Sequence, residues 1–253
     1  MSYLKHLPDK SWEFEKLPEY KNIEEKILSQ SGKKQILPIE EEKSGIFYAF
    51  ELIPLNKVNV LIIGQDPYPN PDRAQGLAFS FKNNSPADDS LKNMFIKIKE
   101  AYNYENINTD LTNWAKQGVL LLNTSLTFTS KDSIETVQWR KFWKPYIDYA
   151  LQKLINYKKQ SNEPLVIMLW GRPANELKIV SYKKDLEYKN TSIKILRSSH
   201  PSDNYNAKNT PIFKGSEYES FSFMDKRHNH FKECNEFLRS FGKQIIDWHT
   251  EII

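Results

Sequence analysis

Four short apolar runs, each followed at once by polar residues or glycine, constrain the fold of this chain most strongly. Each run has the length of a β-strand and is mostly apolar, broken only by Asn59 and Lys194, rather than apolar at alternate positions. That pattern is typical of strands buried on both faces of a parallel sheet. The runs cover residues 58–63, 119–122, 165–170 and 193–196.

Amphipathic stretches with helical periodicity lie before, between and after these runs. They predict helices over residues 21–28, 39–52, 90–102, 139–157 and 229–241. Ser90 is the expected start signal of the third helix, and Gly242 follows the last. Strands that alternate with helices predict an α/β fold, with a central four-stranded parallel sheet flanked by helices on both faces. A length of 253 residues fits a single domain spanning 1–253.

Cysteine content and hydropathy narrow the class of protein further. No apolar run reaches the length of a membrane span, so no membrane association is expected. The single cysteine, Cys234, excludes an internal disulfide and favours a reducing, cytoplasmic location. His230 and Cys234 have the spacing of one helical face, but no third ligand lies nearby in the sequence. We therefore interpret them as packing residues and expect no metal and no cofactor.

Positive charge is concentrated in one segment of the chain. The net charge is only +4, yet nine basic and four acidic residues lie between Gly171 and Lys214. A solvated face and a surface that contacts phosphates both fit this distribution. Charge alone leaves the two interpretations open.

Three polar side chains follow the predicted strands at their carboxyl ends. Asp66 comes after the first run, Asn123 after the second and His200 after the fourth. Ligands of doubly wound sheets bind beyond the carboxyl ends of the strands, so these residues are expected around one site. Pro67 and Pro201 stiffen the turns that carry the aspartate and the histidine. Taken singly, each residue also fits a structural role as a turn aspartate, a loop asparagine or a structural histidine.

The motifs around these residues carry a resemblance to a known family. GQDPYP, GLAFS, LLLN, LWG and HPSDNY occur in this order. They resemble GQDPYH, GLxFS, LLLN, LWG and HPSPLS of the family 1 uracil-DNA glycosylases, and the resemblance extends from about Trp12 to Trp248. It implies a monofunctional glycosylase that flips deoxyuridine out of DNA and hydrolyses its N-glycosidic bond in base excision repair.

The resemblance also implies a role for each site residue. Asp66 would orient the attacking water and offset positive charge on the sugar, and a neutral His200 would hydrogen-bond the departing uracil. Asn123 would read the base edge, Phe79 would stack on the base, and Tyr68 would exclude the methyl group of thymine. The remaining implied contacts are Gln65 to uracil and Ser90, Ser199, Ser202, Asn204 and Tyr205 to DNA.

The sequence departs from the family pattern at three places. Pro69 replaces a histidine, which is expected to slow the chemistry. Asp88 and Asp89 lie either near DNA phosphates, where they would weaken binding, or in a solvated loop. Asn204 stands where the family has an intercalating leucine, so we hypothesise that Tyr205 acts as the wedge and that single-stranded DNA is preferred.

Other functions remain open at this stage. The same fold could act on a wider range of damaged bases, or serve as a DNA-binding or replication-accessory protein with a weakened glycosylase site. A small-ligand binding module is a further alternative. The expected partners are uracil-containing DNA, single- or double-stranded, and a proteinaceous inhibitor that mimics DNA. The chain is expected to be a monomer.

Overall fold

A four-stranded parallel sheet lies at the centre of the protein, in the order β2-β1-β3-β4. The computed structural model describes residues 2–171, 174, 177, 192–202 and 222–250. The strands are β1 (Val60–Gly64), β2 (Val119–Asn123), β3 (Leu165–Trp170) and β4 (Ile193–Ser198). The predicted α/β class and its four-stranded parallel sheet are confirmed.

The register of the strands brings their carboxyl ends to one edge of the sheet. Gly64 pairs with Asn123 across β1 and β2, and Trp170 pairs with Ser198 across β3 and β4. All residues of β2 and β3 are buried, as continuous apolar runs predict, although β2 is an edge strand; β4, at the opposite edge, is only partly covered. The loops that leave these ends therefore share one side of the molecule.

Helices cover the sheet and complete the core. The described residues include the α-helices α1 (Ile23–Ser31), α2 (Tyr48–Leu52), α3 (Asp89–Tyr102), α4 (Thr112–Lys116), α5 (Ser133–Ser161) and α6 (His230–Ser240). Short 3₁₀ turns cover Lys10–Trp12, Phe14–Lys16, Pro18–Tyr20 and Leu55–Lys57. Among the residues that the structure describes, no helix is long and apolar enough to span a membrane.

Three predicted helix starts were wrong. Asp88, not Ser90, caps α3, because its carboxylate accepts a hydrogen bond from the amide of Leu91. Helix α5 begins at Ser133, six residues before the predicted start, because Asp132 caps it in the same way. The stretch predicted as helix over 39–52 is helical only at Tyr48–Leu52.

The segment before the sheet packs around a buried histidine. His6 Nδ1 faces the carboxylate of Glu51, and Nε2 faces the backbone carbonyl of Glu41. Both partners accept, so the ring carries both protons. Burial lowers the pKa of His6, but the Glu41 carbonyl, the Glu51 carboxylate and the charge of Glu40 together raise it above 6.5. The edge of the ring lies against Tyr48.

This pairing predicts a pH-dependent stability. Because the folded-state pKa is raised, the stabilisation is fully present below the unfolded-state pKa of His6 and is lost as pH rises through the folded value. As the pH falls from roughly 8 to 6, we expect the melting temperature of the wild type to rise by about 2–4 °C more than that of His6→Asn. Thermal melts of both proteins check this. Equal slopes for wild type and His6→Asn would contradict the prediction.

Candidate active site

The turn that carries Asp66 is held against the end of β2. The amide of Thr124 donates to the carbonyl of Gly64 at 3.1 Å, and the amide of Ser125 donates to the carbonyl of Gln65 at 3.0 Å. The hydroxyl of Thr124 also donates to the Gln65 carbonyl, at 2.9 Å. These bonds fix the backbone just before the aspartate, and Pro67 restricts it from the other side.

Two side chains hold the carboxylate of Asp66. Arg140, on α5, donates from Nε to Oδ1 at 3.1 Å and from Nη2 to Oδ2 at 2.6 Å. Gln65 Nε2 donates to Oδ2 at 2.9 Å. The hydrogen bonds to the carboxylate raise the pKa of Arg140. Sequence reasoning missed Arg140, because nothing in the spacing of the motifs connects it with Asp66.

Asn123 is the last residue of β2, and its side chain lies where only a glycine at position 64 leaves room for it. Its side chain is buried. A Cβ on Gly64 would lie 2.3 Å from Asn123 Oδ1 and 2.7 Å from the Cβ of Ala78. Ala78 itself is bound to the sheet, since its amide donates to the carbonyl of Leu121 at 3.0 Å. The glycine of GQDPYP therefore leaves the space in which the asparagine and the GLAFS segment meet.

Phe79 connects this half of the site with the half at β3 and β4. Its backbone has a φ of +65°, and the residue is 8% exposed. The ring centroid lies 5.7 Å from that of Trp170 and 5.9 Å from that of His200. Trp170 is fixed in turn, because its Nε1 donates to Nδ1 of His230 at 2.9 Å. An aromatic platform thus lies beside the predicted catalytic histidine.

The hydrogen bonds of His200 select one tautomer of its neutral ring. The amide of Ser202 donates to Nδ1 at 3.2 Å, and the Ser202 hydroxyl lies 2.8 Å from the same atom. A backbone N–H can only donate, so Nδ1 accepts and the proton of the neutral ring lies on Nε2. Gly171 permits this position, since a Cβ there would lie 3.0 Å from the Cβ of His200.

Tyr68 is held by Asp88, the residue that caps α3. Its hydroxyl donates to Asp88 Oδ2 at 3.0 Å, and its ring meets the ring of Phe81 edge-on at 4.6 Å. Burial raises the pKa of Tyr68, and the charge of Asp88 and its hydrogen bond raise it further. Since Asp88 Oδ1 binds the Leu91 amide, both carboxylate oxygens are engaged within the protein. The neighbouring aspartate, Asp89, is exposed.

The predicted DNA-contacting serines lie in different environments. Ser90 is buried in the first turn of α3, and Ser199 is buried and accepts a hydrogen bond from the amide of Phe223 at 3.0 Å. Ser202 is exposed beside His200. Asn93 of α3 donates to the carbonyl of Pro201 at 2.6 Å, which links that helix to the histidine loop. The predictions for Asn204 and Tyr205, and much of the basic segment, lie outside the described residues.

His230 and Cys234 are both buried in the core. Burial lowers the pKa of His230 to about 3 and raises the pKa of the Cys234 thiol. The bond from Trp170 to His230 fits the interpretation of this pair as packing residues. Within the described ranges, no group of three or more His, Cys, Asp and Glu side chains is arranged to hold a metal ion.

Comparison with known proteins identifies the family. The model of the uracil DNA glycosylase superfamily matches residues 50–239. The chain belongs to this superfamily. It is 34% identical to a uracil-DNA glycosylase of Saccharomyces cerevisiae over 98% of this chain and 64% of the relative. It is 35% identical to uracil-DNA glycosylase 2 of Bacteroides fragilis over 95% of this chain and 98% of the relative.

Solved structures of the superfamily share the fold. The mimivirus uracil-DNA glycosylase is 26% identical, with a TM-score of 0.72 over 96% of this chain and 88% of the other. A mimivirus UNG variant in complex with UGI is 23% identical, with a TM-score of 0.75 over 97% of this chain and 89% of the other. The second likeness shows the fold alone. The chain spans just under two thirds of the yeast relative and nearly all of the Bacteroides one.

Proposed function

We propose that this protein is a uracil-DNA glycosylase that hydrolyses the bond between uracil and deoxyribose in DNA, leaving an abasic site for base excision repair. One observation carries the proposal. The ring of Phe79 contacts His200, while its neighbour Ala78 packs against Gly64 beside Asn123. A stacking ring, a hydrogen-bond donor and a base-reading amide thereby surround one site, and Asp66 follows two residues after Gly64.

Charge separation explains why an acid and an imidazole serve this reaction. When the bond between C1′ and N1 breaks, its electron pair leaves with uracil, and the sugar becomes an oxocarbenium ion. The Asp66 carboxylate stabilises the positive sugar, and Nε2–H of His200 donates to the negative uracil oxygen. Water, oriented by Asp66, then adds to C1′ and gives up a proton, which balances the charge of the uracil anion.

Selection of uracil rests on three side chains. The amide of Asn123 donates to O4 and accepts from N3–H of uracil, whereas cytosine reverses donor and acceptor at these two positions, so an amide held in this orientation rejects cytosine. Phe79 stacks on the flipped base, and Tyr68 fills the space that the methyl group of thymine would need. The backbone beside Gln65 contributes a further uracil contact.

Contacts to the DNA backbone belong to the loops around the site. We assign phosphate contacts to Ser90, Ser199 and Ser202, and their proximity to α3 and the histidine loop supports this. Asn204 and Tyr205 stay predictions for the wedge that enters the stack.

Release of uracil tests the function directly. The protein is incubated with an oligonucleotide containing one uracil, and the product is treated with alkali, which breaks DNA at abasic sites. A break that depends on uracil is the expected result. The absence of any break at high enzyme concentration would favour the alternative of a DNA-binding accessory protein.

The position of Tyr68 predicts the effect of removing its ring. We expect Tyr68→Ala to reduce the preference for uracil over thymine by roughly 10–200-fold, the range that one methyl group provides in a fitted pocket. Tyr68→Phe, which loses only the bond to Asp88, should keep the preference within about threefold of the wild type. Rates on matched uracil and thymine oligonucleotides measure both. An unchanged preference in Tyr68→Ala would remove this residue from the selection of uracil.

Partners and location follow from the proposed function. We propose that uracil-containing DNA is the substrate and that a proteinaceous DNA mimic inhibits the enzyme, supported by the mimivirus UNG complex with UGI. A monomer, a single domain over 1–253 and a cytoplasmic location are also proposed. The lone cysteine, which is buried as a free thiol, supports a reducing compartment.

A further inference from the structure

The two oxygens of the Asp66 carboxylate accept different numbers of hydrogen bonds. Oδ2 accepts from Arg140 Nη2 and from Gln65 Nε2, whereas Oδ1 accepts from Arg140 Nε. Each carboxylate oxygen has two lone pairs, so these bonds use both positions on Oδ2 and one on Oδ1. Arg140 contacts both oxygens, which fixes the plane of the carboxylate as well as its distance.

We propose that Arg140 is a positioning residue that holds Asp66 so that Oδ1 orients the attacking water. The proposal rests on the proposed function, because it assigns an atom and a supporting residue to the water step. Pro69, three residues after the aspartate, offers no side-chain donor. Arg140 then supplies, from another element, a polar group in contact with this carboxylate.

The helix that carries Arg140 is attached to the loop that follows β2. Trp139 Nε1 donates to the hydroxyl of Thr129 at 2.9 Å, and Trp143 Nε1 donates to the hydroxyl of Thr127 at 2.7 Å. Both tryptophans are buried, one directly before the arginine and one three residues after it. The guanidinium is therefore presented from a rigid helix, which is the arrangement that holds a reacting group within a fraction of an ångström.

The ion pair between Arg140 and Asp66 is partly buried, unlike a pair between flexible, exposed side chains. The Asp66 side chain is 14% exposed and that of Arg140 is 35% exposed. A planar guanidinium matches a carboxylate through two parallel bonds, which a lysine ammonium cannot reproduce. Arg140→Lys should therefore keep the charge and lose the orientation.

Single-turnover rates of uracil release test the proposal. We expect Arg140→Ala and Arg140→Lys to release uracil about 10–100-fold more slowly, the range for a small misplacement of a reacting group. Their affinity for the same uracil oligonucleotide should stay within about threefold of the wild type. Guanidinium chloride at non-denaturing concentration should restore part of the rate of Arg140→Ala and none of the rate of Arg140→Lys, whose ammonium fills the site.

The control is Lys144→Gln, which removes a positive charge from the same helix where it pairs with Asp148 instead of Asp66. Its rate and its response to guanidinium should match the wild type. A rate in Arg140→Ala that equals or exceeds the wild-type rate would overturn the proposal, and so would a slower rate fully explained by weaker DNA binding.

Two further measurements keep the interpretation unambiguous. Thermal melts establish that the variants are folded. If Arg140→Ala does not fold, the proposal is decided by Arg140→Lys alone, from its rate of uracil release at unchanged affinity for DNA. If the wild type releases no uracil, the proposed function fails. If the wild type is active and the Arg140 variants match it, only the positioning role fails.

Discussion

Replacing the Asp66 carboxylate with an amide should slow uracil release on the order of 10³-fold. A unit charge about 4 Å from a positive sugar, at the effective dielectric of a protein site, is worth about 4 kcal/mol. That energy corresponds to about three powers of ten in rate. Asp66→Asn keeps the shape of the side chain and loses this charge. Single-turnover release from a uracil oligonucleotide measures the effect.

Asp72→Asn is the matched control for this prediction. Asp72 lies in the same loop, is exposed, and its amide donates to Asn70 Oδ1, so the substitution removes an equal charge away from the sheet edge. Its rate should equal the wild-type rate. If Asp66→Asn retained more than a tenth of the wild-type activity, the carboxylate would not be the group that stabilises the sugar.

Removal of the His200 ring should slow uracil release by on the order of 10²–10³-fold, the usual effect of losing one preorganised donor to a developing anion. The structure adds a reason for the role of this donor. With Nδ1 accepting from Ser202, the proton of the neutral ring lies on Nε2. His200→Ala loses this donor, and the same single-turnover assay measures the loss.

His228→Asn provides the comparison for the histidine. His228 faces Glu233 at 3.6 Å, and its replacement should leave uracil release unchanged. The decisive comparison is between leaving groups. Because the role proposed for His200 is to stabilise the negative charge on the departing base, substrates with better leaving groups, such as 5-fluorouracil, should lose less rate in His200→Ala. An equal loss for both bases would show that the histidine acts elsewhere.

Local sequence patterns were sufficient to predict the sheet. Continuous apolar runs favour burial on both faces, and a parallel sheet with covering helices provides that burial. The positions of Asp66, Asn123 and His200 at the strand ends followed from this topology, and the motifs supplied the family. The starts of α3 and α5 were misjudged because several polar residues precede each helix, and the cap that forms depends on local backbone geometry.

The contacts that hold the site were decided by tertiary structure. Arg140 and Asp66 are 74 positions apart, and Tyr68 and Asp88 are 20 apart, on elements that only the folded chain brings together. Periodicity reports which face of an element is buried, but it carries no information on which distant side chain meets a given polar group. The sequence by itself therefore determined the sheet and the residues along its carboxyl edge, and packing of α3 and α5 against that edge decided how those residues are oriented.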